Sequence, residues 1–157
     1  GEFLDAKIEG HFDVIRLADV IEHFVDPVSA FNRILRSLKP GGYIFFEGPL
    51  ENNISPVFLS LVLLGNLRRI FRQNQPGKGF PYHITRLNEA QQLEFFNNNV
   101  SDFELLHWRI YDTGWPYLTG GFIRRNIGRL AIVLSGIKLF RKRFGNRVSA
   151  VLKINRI

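Results

Sequence analysis

The chain has 157 residues, 45% of them hydrophobic and 22% charged, the balance of one globular domain or part of one; disorder over most of the length and a second full domain are excluded. Its 21 Lys and Arg against 14 Asp and Glu give a formal charge of +7, gathered at Arg68, Arg69 and Arg72 and between Arg124 and Arg147, a basic edge that suits an anionic partner or plain solvation. The absence of cysteine excludes disulfides and thiolate metal sites and makes the cytoplasm the default compartment, and a chain without methionine, initiator included, reads as processed or truncated.

In chain order, Phe3-Leu4-Asp5 and the polar residues after it read as a strand end running into a turn, and Gly1-Glu2-Phe3 has neither the basic start nor the apolar run of a signal peptide. Phe12 to Ala18 is short, apolar and ends at Asp19, as a central parallel strand ending at a functional edge would. Asp26-Pro27 predicts a helix start, the carboxylate accepting a first-turn amide and the proline preset for the first helical position. Val28, Phe31, Leu35 and Leu38 fall on its inner face. Lys39-Pro40-Gly41-Gly42 stops the helix, and Tyr43 to Phe46 is the next buried strand.

Ser55-Pro56 opens an apolar run, Val57 to Leu64, that is too short to span a bilayer and continues through Arg68, Arg69 and Arg72 as a basic amphipathic helix over about 55–73, suited to covering a pocket or lying on a membrane surface. Residues 73–82 are a Pro- and Gly-rich loop. Asn88, with Gln91 three residues on, predicts a capping box; Leu93, Phe95 and Phe96 give that helix its buried contacts, and Asn97-Asn98-Asn99 predicts a left-handed exit. Phe103 to Tyr111 alternates as a strand with Phe103, Leu105 and Trp108 or Ile110 on one face. After a turn between Gly114 and Gly121, a second basic amphipathic helix is expected over 122–144, within an insertion at about 120–145. Val148, Ala150, Leu152 and Ile154 mark a closing strand.

FDVIRLADVIEHFVDPVSAFNRILRSLKPGGYIFFEGP, residues 12–49, resembles the middle of a class I S-adenosylmethionine-dependent methyltransferase, in the group with an FDV strand, an EH-x-x-DP segment and an LKPGG turn, and PYHITRLNEAQQLEFF is similar to that group's Pro-x-His segment and following helix. The resemblance implies an α/β fold: a partial Rossmann-like sheet of parallel strands with an antiparallel last strand and helices on both faces, the 157 residues forming a single, incomplete domain. The family's Gly-rich turn after the first strand and the acidic residue ending the second have no counterpart in this sequence, so the chain is expected to correspond to the C-terminal two-thirds of the domain. By resemblance, Asp5 and Ala6 would lie near the adenine of S-adenosylmethionine, and Leu17 and Asp19 beside its methyl group. The chain alone is expected to bind the cofactor poorly.

Asp19, Glu22 and His23 stand at i, i+3 and i+4, one face of a helical turn, and the resemblance brings His83 to the same edge. In one reading, His23 or His83 is a general base for a substrate hydroxyl, oriented by Asp19 or Glu22. In a less favoured one, the two carboxylates and two imidazoles hold a divalent cation, as in the similar metal site of small-RNA 2′-O-methyltransferases; the set is also similar to the site of ubiquinone-biosynthesis O-methyltransferases, with Asp19 where both have a Glu. In a third, Glu22 and His23 only brace the loop. Three functions stay open: O-methylation of a small or lipid-like acceptor, with peripheral membrane contact through the basic helices; a non-catalytic interaction or membrane-surface module; and RNA methylation, nucleic acid being the less expected partner.

Overall fold

The computed structural model describes residues 10–71, 83–139 and 142–156, with side chains left aside at 64–71, 139 and 156. Strand β1, Phe12–Ala18, runs parallel to β2, Leu38–Pro49, and the helix α1, Pro27–Arg36, connects them. The predicted start of α1 is in place: Asp26 accepts a hydrogen bond from the Ser29 amide at 3.0 Å and Pro27 occupies the first turn. Its inner face is Ala30, Phe31, Ile34 and Leu35, whereas Val28 points to solvent.

The LKPGG stretch does more than end the helix. Strand β2 begins at Leu38, already paired with Phe12, and the register then shifts before Val14 meets Tyr43. Gly41 takes φ +78°, and a Cβ on Gly42 would stand 2.8 Å from Leu38 Cγ and 2.9 Å from the Lys39 carbonyl. The glycines therefore absorb a kink inside the ladder, where a side chain would collide with the strand's own backbone.

The last strand, β6 (Arg147–Arg156), inserts between β2 and β3 (Asp102–Tyr111) and is antiparallel to both, giving the order β1-β2-β6-β3. Its alternation is the clearest in the chain: Val148, Ala150, Leu152 and Ile154 are all buried, as period-two spacing requires of one sheet face. Strand β1 is predicted to be central but is an edge strand among the described residues, which leaves Phe12 and Val14 half exposed. In β3 a register irregularity between Leu105 and His107 breaks the predicted alternation, and Leu105 is exposed while Ile110 is buried.

Helix α3, Glu89–Asn99, has the predicted capping box, with Asn88 and Gln91 exchanging hydrogen bonds of 3.0 Å in both directions. Its end differs from expectation. The chain leaves through Val100 in extended conformation, and Asn99 Nδ2 turns back to the Phe95 carbonyl at 2.7 Å, which satisfies that group without a left-handed residue. Phe96 joins Phe31 and Phe46 at ring-centre distances of 5.7 and 5.1 Å, cementing both helices to the sheet.

Helices α2 (Pro56–Phe71) and α4 (Phe122–Val133) form a cap of their own. The 122–144 helix expected from the sequence ends after twelve residues: Gly136 turns the chain at φ +76°, and Lys138–Leu139 (β4) and Lys142–Arg143 (β5) make a short hairpin. A turn of 3₁₀ helix, Tyr117–Thr119, docks on α4 through Gly114 at φ +68°, where an added Cβ would lie 2.7 Å from the Gly128 carbonyl. Val57, Tyr117 and Ala131 are the buried centre of this cap. Among the described residues, no helix is long and apolar enough to cross a membrane.

Candidate active site

Chemistry-bearing side chains collect where the parallel strands end. Asp19 follows β1 in the left-handed region at φ +52°, its amide donating to the Glu47 carbonyl at 3.0 Å. That conformation, permitted to a short acidic side chain, breaks the helical face predicted for Asp19, Glu22 and His23. Only Ile21–His23 form a turn, of 3₁₀ type. Asp19 instead accepts from Arg147, whose Nε donates to the Tyr111 hydroxyl at 3.2 Å. Burial alone would lower the Arg147 pKa, but the Tyr111 hydroxyl and the Asp19 carboxylate outweigh it, raise the value and keep the guanidinium charged.

Glu22, His23 and His83 do come together. The amides of Ile84 and Thr85 both donate to the Glu22 carbonyl, at 2.9 and 3.2 Å, which stitches the segment after His83 onto the turn. The His23 and His83 rings meet edge to face at 4.9 Å, and one donor atom from each of Glu22, His23 and His83 lies within 4.8 Å of the others. The Glu22 carboxyl is buried with Oε1 unpaired among the described residues. Desolvation raises its pKa above the ordinary glutamate value, with a further push from Asp19 and opposition from its own backbone hydrogen bond and the two histidines.

Sequence reasoning did not find Glu51. Its Oε1 accepts from His83 Nδ1 at 2.5 Å and its Oε2 from Arg86 Nε at 3.0 Å, while Asn52 holds the Arg86 carbonyl at 3.0 Å. In its neutral form a histidine that donates through Nδ1 presents a bare Nε2. The polar Glu51-Asn52-Asn53 loop was the available signal, but only folding shows which imidazole it serves.

His83 and Asp19 line a cavity of about 880 Å³ above the sheet. Its polar wall includes Glu51, Arg86, Asn146 and Arg147, and its apolar wall is Val57, Phe58, Leu61 and Val62 of α2 with Trp115 and Pro116. Glu22 and His23 do not line it; they stand behind His83. Of the expected cofactor contacts, the Leu17 side chain is packed in the core, so that position can offer only its backbone, and Asp5 and Ala6 lie outside the described residues.

A mixed sheet with this order, with polar side chains and a cavity at the strand ends, has the Rossmann-like α/β architecture. Residues 3–111 match the family described as "Methyltransferase domain", and the chain belongs to that family of S-adenosylmethionine-dependent, class I methyltransferases. The ubiquinone biosynthesis O-methyltransferase of Albidiferax ferrireducens is 36% identical over 64 residues, 41% of this chain and 24% of that enzyme. The same enzyme of Azotobacter vinelandii is 40% identical over 61 residues, 39% of this chain and 26% of the enzyme. The matched stretch thus spans about a quarter of these relatives. Among solved structures, the YcgJ protein of Bacillus subtilis superposes with TM-score 0.51 at 16% identity, covering 100% of this chain and 70% of that one. A SAM-dependent methyltransferase of Archaeoglobus fulgidus gives 0.50 at 11% identity, covering 96% and 63%. At these identities the superpositions establish the fold.

Proposed function

We propose that these residues form the acceptor-side part of one methyltransferase domain, and that the full-length protein transfers a methyl group from S-adenosylmethionine to a hydroxyl of a small or lipid-like acceptor. The observation that carries this is the Glu51–His83 pair at the rim of the 880 Å³ cavity. The relatives' names, O-methyltransferases of ubiquinone biosynthesis, support transfer to oxygen.

S-adenosylmethionine supplies an electrophilic methyl group, and the protein's task in such a displacement is positioning, exclusion of water and removal of the hydroxyl proton. The apolar wall from α2 holds the body of the acceptor and keeps water out. His83 Nε2 takes the hydroxyl proton, Glu51 fixes the ring and stabilises the imidazolium, and Arg86 fixes Glu51. The Asp19–Arg147 pair forms the rim towards β1. These residues fit the methyl-transfer and acceptor side of the cofactor; the described residues offer no glycine-rich turn for its ribose and amino acid, which we assign to another part of the full protein.

The cluster of Glu22, His23 and His83 favours a second reading. Its one carboxylate and two imidazoles, with an unpaired buried oxygen on Glu22, are a donor set that fits a borderline divalent cation, whose chemistry would be to lower the pKa of a bound hydroxyl. The deciding experiment is transfer of labelled methyl from S-adenosylmethionine to a catechol by the full-length protein, with and without chelator. In the base reading, chelation leaves the rate unchanged and Glu51→Gln lowers kcat; chelator-sensitive activity restored by added metal would establish the second reading, and no transfer to any hydroxyl acceptor would refute both.

A further inference from the structure

The acidic residues avoid two segments completely. Residues 52–88 and 113–157 hold 15 of the chain's 21 Lys and Arg and none of its 14 Asp and Glu. These segments supply α2, which walls the cavity, and the Tyr117–Thr119 turn and α4, which pack beside it, together with strand β6. Three of these cations, Arg86, Arg143 and Arg147, pair with Glu51, Glu89 and Asp19; ordinary solvated surfaces intersperse the two signs, so the rest, on a cap with no acidic residue, suit a negative partner.

The same cap exposes large apolar side chains on both of its helices. On α4, Phe122 is 75% exposed and Ile123 and Val133 are each 73% exposed. With Leu130 they span about 100° of the helix circumference, opposite Ala131 and Gly128, which face inward. Arg125 and Arg129 border one edge of this stripe, and Asn126 lies within it. On α2, Leu59, Leu61, Val62 and Leu63 are about half exposed. Leu61, Val62 and Trp115 also belong to the cavity wall, so the cavity's apolar side runs out onto this face. A convex apolar stripe bordered by cations is the pattern of an interfacial helix whose apolar side enters the acyl boundary while the cations meet headgroups.

We infer that the α2–α4 cap docks on a bilayer containing anionic lipid and turns the mouth of the cavity towards the membrane. The charge segregation selects this occupant: a membrane surface is negative over a wide area, and each Lys or Arg near it strengthens binding about fivefold. The inference deepens the proposed function, on which it rests for the identity of the cavity, because an acceptor dissolved in the bilayer would enter between α2 and Trp115 without crossing water.

The test is co-sedimentation of the full-length protein with phosphatidylcholine vesicles, with and without phosphatidylglycerol as about one-third of the lipid, at low and high salt. Binding at least tenfold tighter to the anionic vesicles, weakened by salt, and a blue shift of tryptophan emission that Trp115→Phe removes are the expected results. The Arg125→Gln, Arg129→Gln double variant is expected to lose roughly 25-fold in vesicle affinity, and Phe122→Ser with Ile123→Ser to abolish the blue shift. Equal affinity for neutral vesicles, no vesicle binding, vesicle binding replaced by salt-dependent RNA binding, or burial of the face in a dimer each overturns the inference. The wild-type lipid and salt comparison stands even if a variant fails to fold. No cofactor or acceptor enters the assay, so failure here leaves methyl transfer to a water-soluble catechol intact, and failure of methyl transfer leaves the vesicle result intact.

Discussion

The sheet with α1 and α3 and the cap made by α2 and α4 use similar amino acids for opposite ends. In the first region apolar residues sit at the period of their element and face one another, so Phe31, Phe46, Phe96 and the inward face of β6 are sealed from water. In the cap the buried apolar centre among the described residues is Val57, Tyr117 and Ala131, while Phe122, Ile123 and Val133 stand in solvent. Burial of apolar area drives folding in the first region; in the second the same kind of surface is left available. With few buried apolar side chains among its described residues, the cap is also the region that can open locally at least cost, which suits an element beside a site that must admit a substrate.

That contrast can be broken by mutation. Phe96→Ala, at 0% exposure, is expected to cost about 3–5 kcal/mol, read by urea denaturation, whereas Leu130→Ala on the cap is expected to change stability by no more than about 0.5 kcal/mol. Equal effects would dissolve the distinction. At the junction of the two regions, His83→Ala is expected to lower kcat about 10²- to 10⁴-fold with little change in melting temperature, measured by methyl-transfer kinetics on the full-length protein. Gly114→Ala forces a Cβ to 2.7 Å from the Gly128 carbonyl at φ +68°; a loss of about 1–3 kcal/mol is expected, with proteolysis of α4 accelerated before that of the sheet.

A smaller effect separates the regions by pH. Asp112, buried where β3 gives way to the cap, has its pKa raised by desolvation, against the opposing Gly114 amide and Ser55 hydroxyl. Because the folded state holds this proton more tightly than the unfolded chain, the penalty is absent below the ordinary aspartate pKa and grows as pH rises towards the raised value. Asp112→Asn, which keeps the shape without the charge, is therefore expected to flatten the decline in melting temperature across that window. An unchanged pH profile would show that Asp112 ionises without cost.

Much of the site's location was legible in the sequence, but its wiring was not. The EH-x-x-DP segment stood out in the residue order and the family resemblance brought His83 to the same edge; in the structure Glu22, His23 and His83 come together. Asp19 was grouped with them by its i, i+3, i+4 spacing, which assumed helical dihedrals that a residue at φ +52° does not have. The Glu51 partner of His83 and the Arg147 partner of Asp19 lie 32 and 128 residues away, and no spacing rule connects residues so distant.

What the sequence by itself determined is local: the Asp26-Pro27 start of α1, the Asn88–Gln91 capping box and the alternation of Val148, Ala150, Leu152 and Ile154, because each is a hydrogen bond or a face set within a few residues. Only the tertiary structure decided that β6 slips between β2 and β3, that α4 stops at Val133 instead of running to 144, and that its apolar stripe is left uncovered by the described residues. Amphipathic periodicity states which side chains share a helix face; whether that face meets the core or the solvent depends on what the rest of the chain brings to it.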